Sequence, residues 1–189
     1  MRRLFLQEIL AEVGLSENLK QSGLLRLEGE FTAVDWTAFY SNAKTVRLVI
    51  FHASHTLTMS IGKAVKEAAE AGTEFEVILP DFGNKSLLGK LASMEGNASS
   101  NSMKMKIQQA ADGFKTLRNG SNSVQLYVSP HVHPFAMYLS DKQAIIVLNP
   151  EPTFSNPVVL VCDQAGGLYQ YANAHYAVIK RDSVLLDVA

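Results

Sequence analysis

The fold is decided by a stretch that begins with VRLVIF (residues 46–51) and ends with FEVIL (residues 75–79). Between these two apolar runs, Ile61 and Val65 recur at helical spacing, and Gly72 follows in the position of a C-terminal helix cap. Strand, helix and strand in this order form a βαβ unit, which predicts parallel pairing with a right-handed crossover. The sequence therefore predicts an α/β domain with ligand-binding loops at the carboxyl edge of its sheet.

Further elements are predicted on both sides of this unit. Upstream are an amphipathic helix over residues 4–13, which covers the core or binds a partner, an edge strand within 23–31, and a helix capped by Asp35. Residues 84–101 are rich in Ser, Asn and Gly, which predicts a mobile loop around a short helical turn. The remaining predictions are a helix over 103–117 capped by Ser100 or Asn101, strands at 124–128, 135–139, 143–148 and 158–162, and a helix at 167–180.

Charge and cysteine content limit the functional classes to which the protein could belong. The 189 residues include 17 Lys and Arg against 18 Asp and Glu, so no overall field favours nucleic acid or an anionic membrane. Cys162 is the single cysteine, which excludes an internal disulfide, and no Cys/His run has zinc-site spacing. No apolar run reaches the roughly 18 residues of a membrane span. We expect a cytoplasmic protein without a metal or cofactor.

Histidines are concentrated in two predicted loops. Of the five in the chain, His52 and His55 follow the first strand of the βαβ unit, and His131 and His133 precede a predicted hairpin. Loops at strand ends carry sites on a rigid scaffold, and imidazole suits proton transfer or nucleophilic attack near neutral pH. Each histidine could equally be a hydrogen-bonded loop residue, so the grouping indicates a candidate site and not yet a reaction.

The stretch HPFAMYLSDKQAIIVLN (residues 133–149) resembles the signature region of the phospholipase D superfamily. In that family a histidine begins a strand, a lysine follows two residues later, and an aspartate five further on opens a turn into a second apolar strand. His133 takes the histidine position, Asp141 continues the turn, and Asn149 stands near the end of the second strand. Phe135 replaces the lysine and Ser140 replaces the aspartate.

The resemblance spans residues 35–186 and implies a mixed, mostly parallel sheet flanked by helices. It divides the chain into an extension (1–34) and a phospholipase D-like domain (35–189). The candidate ligand-binding residues are the loop histidines His55 and His131 together with His133, Ser140, Asp141 and Asn149 of the stretch that resembles the family. Because the family builds its site from two half-units, a chain with one half-unit is expected to form a homodimer in which the two copies of His133 face each other.

The substitution at position 135 decides the functional expectation. Family lysines bind the phosphoryl oxygens as charge accumulates, and loss of such a donor removes about 2.7–4 kcal/mol of transition-state stabilisation. We therefore expect a catalytically degenerate domain that senses a small phosphate-containing ligand or binds a protein. Two alternatives stay open: an active phosphodiesterase, nuclease or lipid hydrolase with His133 as nucleophile, and a small-molecule-binding α/β protein unrelated to the family.

Overall fold

An eight-stranded sheet forms the centre of the computed structural model, which describes residues 17–51, 56–57, 59–96, 98–118, 123–148 and 157–186. The strands are β1 (Leu24–Glu28), β2 (Thr45–Val49), β3 (Glu74–Pro80), β4 (Val124–Ser129), β5 (Phe135–Ser140), β6 (Gln143–Leu148), β7 (Val158–Asp163) and β8 (Val184–Leu185). Their order across the sheet is β1-β7-β6-β5-β2-β3-β4-β8. The helices are α1 (Trp36–Tyr40), α2 (Met59–Glu70), α3 (Lys85–Met94), α4 (Ser100–Lys115) and α5 (Gly167–Arg181), and a 3-10 turn covers Phe31–Ala33.

The βαβ prediction is confirmed, but the prediction of a mostly parallel sheet is wrong. Only the pairs β2–β3 and β3–β4 are parallel, and the other neighbouring strands run antiparallel. One of the antiparallel pairs follows from the connection between β5 and β6, which consists of Asp141 and Lys142. A connection this short can join only antiparallel neighbours, whereas a parallel pair needs a long crossover. The predicted hairpin thus lies directly beside the parallel strands, because β5 also pairs with β2.

Several predicted elements are found with small shifts at their ends. The edge strand is β1, which ends the sheet on one side, and Asp35 caps α1 by accepting a hydrogen bond from the backbone N–H of Ala38 at 2.9 Å. Gly72 follows α2 with a φ of 93°, the left-handed conformation expected of a capping glycine. The long amphipathic helix is α4, although its cap is Ser99 and not Ser100 or Asn101.

The predicted mobile loop over residues 84–101 is wrong, because most of it is α3. The side chain of Asn84 caps this helix by accepting from the N–H of Leu87. Leu87, Leu88 and Leu91 are buried on one face of α3, so tertiary packing outweighs the Ser and Asn content of the segment. The predicted helix at 4–13 lies outside the described residues. The two-residue strand β8 was not predicted.

The two faces of the sheet are covered unequally. Helices α1–α4 pack on one face, against side chains that include Leu48, Phe75 and Leu126. On the other face the apolar cluster contains Met137 and Leu139, and α5 supplies its only helical residues among those described. None of the described helices has the length and apolarity that a membrane crossing requires.

Polar contacts attach α5 to the sheet beside this second cluster. Glu76 of β3 accepts hydrogen bonds from the Tyr176 hydroxyl at 2.7 Å and from Lys180 Nζ at 2.6 Å. Arg47 of β2 donates to the side chain of Asn173. Burial raises the pKa of the Glu76 carboxyl, but the bonds from Lys180 and Tyr176 outweigh it, so the pKa lies below its ordinary value. The ionised carboxylate therefore holds the last turns of α5.

Candidate functional site

The candidate site lies at the carboxyl edge of the sheet, where the parallel strands β2–β4 end. Because Met137 of β5 pairs with Val49 of β2, the start of β5 lies at the same edge as the end of β2. The short loop between β4 and β5, which carries His131 and His133, is therefore at the carboxyl edge. Open α/β sheets bind ligands at this edge.

His133 is held by a serine that the sequence analysis did not select. Its Nε2 lies 3.0 Å from Oγ of Ser129, the last residue of β4. The same Oγ accepts a hydrogen bond from the backbone N–H of His131 at 3.3 Å. Since Ser129 is only 1% exposed, a substrate cannot reach its hydroxyl, and the pair does not present a serine nucleophile. Ser129 instead fixes the orientation of the His133 ring.

The environment of His133 disfavours its charged form. Burial, and after it the neighbouring rings of His175 and His131, lower the pKa of its imidazole from an ordinary 6.5 to about 4. His133 is thus neutral at pH 7. We call His131, His133 and His175 the imidazole cluster.

His175 joins this cluster from α5, and sequence reasoning did not select it as a site residue. Its ring lies 5.3 Å from the ring of Phe135 and stacks with Tyr171 at 5.9 Å, measured between ring centroids. His175 Nε2 is buried and has no hydrogen-bond partner among the described residues. A signal was available in the spacing, because Tyr171 and His175 are four residues apart and share one helix face. Because buried polar atoms are nearly always hydrogen-bonded, this unpartnered nitrogen makes His175 a candidate site residue.

Two of the predicted site residues lie at the opposite edge of the sheet. Ser140 pairs with Val46 at the start of β2, about 17 Å along β5 from Phe135 at 3.3–3.4 Å per residue. The buried Ser140 hydroxyl accepts hydrogen bonds from the N–H groups of Lys142 and Gln143 at 3.2 and 3.1 Å.

Asp141 also serves the turn between β5 and β6. Its Oδ1 accepts a hydrogen bond from the backbone N–H of Lys44 at 3.0 Å, which ties the turn to the start of β2. The contacts of Ser140 and Asp141 are therefore turn and strand contacts, remote from the imidazole cluster. His55 and Asn149, together with His52, lie outside the described residues.

The cluster places hydrogen-bonding imidazole rings beside aromatic side chains. The neutral ring of His133 offers one donor and one acceptor, so it can bind polar groups. Among the described residues, no three His, Cys, Asp or Glu side chains are grouped closely enough to hold a metal ion.

Comparison with known proteins shows similarity in fold but none in sequence family. No protein-family model matches the sequence, and no curated protein matches it significantly. Among solved structures, the chain is similar to TrmBL2, an archaeal chromatin protein, with a TM-score of 0.53 and 10% identity. The match covers 98% of this chain and 66% of TrmBL2, so the chain spans about two thirds of that protein. At this identity the likeness shows a shared fold alone.

Two further similar structures come from bacteria. Nuc, a phospholipase D family member from Salmonella typhimurium, has a TM-score of 0.45 and 14% identity over 81% of this chain and 89% of its own. NucT from Helicobacter pylori has a TM-score of 0.46 and 15% identity over 80% of this chain and 88% of its own.

Proposed function

We propose that the protein is a catalytically degenerate phospholipase D-like domain that binds a small phosphate-containing ligand without hydrolysing it. It acts as a homodimeric regulatory or interaction module. The lone, buried thiol of Cys162 suits a reducing compartment, so we assign it to the cytoplasm. The net charge of −1 gives no support for nucleic-acid binding.

The contact between Phe135 and His175 carries this proposal. In the resemblance to the phospholipase D superfamily, position 135 belongs to a lysine that binds phosphoryl oxygens. Here an aromatic ring occupies the position and packs against the His175 ring at 5.3 Å. Phenylalanine supplies no positive charge to a developing phosphorane, so the electrostatic part of catalysis is lost while hydrogen-bonding imidazole rings remain beside it.

The hydrogen bond of His133 limits how its ring can act. One ring nitrogen, Nε2, already bonds to the buried Ser129 and is not available to attack phosphorus. Only Nδ1 is left to meet a ligand. Because the pKa of His133 is about 4, an anion that prefers the charged ring must bind together with a proton.

Inorganic phosphate is the probe that tests binding. In a titration followed by the ring ¹⁵N resonances, we expect phosphate to shift His133 and His175, with an affinity that rises as the pH falls from 7 to 5. His175→Gln should weaken binding. Asp141→Asn keeps the oxygen that accepts from Lys44 and lies at the other edge, so it is the matched control and should bind phosphate normally.

The result that opposes the proposal is equally specific. If phosphate shifts resonances of neither His133 nor His175, the ligand does not bind at the imidazole cluster. The same conclusion would follow if Asp141→Asn abolished phosphate binding and His175→Gln preserved it.

The active phosphodiesterase is the second candidate, and the neutral state of His133 favours it. An unprotonated ring at pH 7 is the form that attacks phosphorus. Acid-labile phosphate trapped on His133 after incubation with a phosphodiester would establish this alternative and remove the first proposal.

A further inference from the structure

The strand β1 forms one end of the sheet, and its outer edge carries no strand partner in the described part of the chain. It is held firmly on its inner side by antiparallel pairing with β7. Its start is fixed by a close approach of two glycines, since a Cβ on Gly166 would lie 2.3 Å from the Cα of Gly23. The outer edge is thus a rigid row of backbone donors and acceptors that a further strand can pair with.

Side chains on β1 alternate between the two faces of the sheet. Arg26 and Glu28 pair with Val161 and Val159, which belong to the core under α1–α4. Leu27 pairs with Leu160 and therefore lies on the α5 face. Leu27 is 63% exposed, among the most exposed large apolar side chains of the described chain.

The order of charges on this edge is self-complementary. The Arg26 side chain is 48% exposed and the Glu28 side chain 25%, and their groups lie 4.0 Å apart within the strand. If two copies of β1 run antiparallel with a two-fold axis at Leu27, Arg26 of each copy lies directly opposite Glu28 of the other. Residues opposite each other across antiparallel strands have Cβ atoms about 4.5–5.5 Å apart, and opposite charges there are favourable.

We propose that the homodimer forms by antiparallel pairing of two β1 edges about a two-fold axis at Leu27, which joins the two sheets into one. The two copies of Leu27 meet on the α5 face, and two Arg26–Glu28 pairs form on the other face. The register shift between Leu24 and Arg26 limits the regular pairing to the segment centred on Leu27.

This inference rests on the proposed homodimer and names its contact surface. A two-fold axis perpendicular to the sheet reverses the strand direction of the second copy. The carboxyl edges of the two copies then point in opposite directions, and each imidazole cluster stands alone. The arrangement replaces the one that the sequence predicts, in which the two copies of His133 face each other. The dimer is then held by the β1 edge and not by a shared site.

Charge reversal tests the contact. Arg26→Glu alone and Glu28→Arg alone each create two like-charge pairs across the axis, and we expect each to weaken dimerisation by roughly tenfold or more. An equimolar mixture of the two variants restores both attractive pairs, so it should recover the wild-type mass by sedimentation equilibrium. Lys63→Glu reverses a charge in the exposed Lys63–Glu67 pair of α2, 3.6 Å apart, and is the control that should stay dimeric.

The possible outcomes distinguish an error in the β1 contact surface from an error in the proposed homodimer. A wild-type dimer that neither reversal weakens would overturn the β1 contact and leave the homodimer standing on another surface. A wild-type monomer at tens of micromolar would overturn both. If both reversals weaken the dimer and their mixture stays monomeric, the antiparallel register centred on Leu27 is wrong.

Discussion

The neutral His133 predicts that the stability of the protein depends on pH. Its pKa is about 4 in the folded protein against 6.5 for an ordinary histidine. Between these two values the unfolded chain binds a proton that the folded protein does not bind, so the free energy of unfolding rises with pH there. The contribution is fully present above pH 6.5 and is lost as the pH falls towards 4.

The size of this effect follows from the two pKa values. Between pH 7.5 and pH 5 the full shift corresponds to about 2 kcal/mol. Solvent reaches part of the ring, and screening by that water reduces the expected loss to about 1 kcal/mol. His133→Gln removes the titration while keeping a side chain that can bond to Ser129.

Urea unfolding at the two pH values measures the difference, with the fluorescence of the buried Trp36 as the probe. Wild type should lose about 1 kcal/mol more than His133→Gln between pH 7.5 and 5. Equal losses in the two proteins, or a ring pKa near 6.5 by NMR, would show that the fold does not lower the pKa of His133.

Two substitutions test the other contacts on which the site depends. Ser129→Ala leaves the part-buried His133 Nε2 without its hydrogen-bond partner and should lower the free energy of unfolding by about 1–3 kcal/mol. A change near zero would show that this hydrogen bond does not form in solution. Glu76→Gln weakens the hydrogen bonds that hold α5 and should lower the free energy of unfolding by about 1.5–3 kcal/mol, measured in urea at pH 7. Glu67→Gln, in an exposed ion pair on α2, is the control and should lower it by less than about 1 kcal/mol. Similar losses in both variants would contradict the role given to Glu76.

The elements that the sequence predicted are those whose pattern is local. The βαβ unit has two apolar runs and a capping glycine, and β6 was predicted with the bounds that it has, residues 143–148. The direction of the remaining strands depends on pairing between distant segments, such as β5 with β2 and β1 with β7, which periodicity does not encode. The Ser, Asn and Gly content of residues 84–101 indicated a loop. Composition does not show that three leucines of this segment pack against the core, because that burial is a tertiary effect.

Only the part of the site that is contiguous in sequence was predicted. His131 and His133 lie four and two residues before Phe135, so their place at a strand end followed from the sequence. His175 comes near them from α5, which packs on one face of the sheet, and only the fold shows this proximity. Ser140 was grouped with His133 by resemblance to a motif, yet a motif that runs along a strand places its two ends at opposite edges of the sheet.

Binding without hydrolysis is tested by the rate at which the protein hydrolyses bis(p-nitrophenyl) phosphate. The measurement compares wild type with His133→Ala, purified identically, at pH 5–8. We expect neither protein to exceed the rate in buffer. Hydrolysis by wild type at enzyme-like rates, lost in His133→Ala, would instead establish a catalytic histidine and overturn the proposed function.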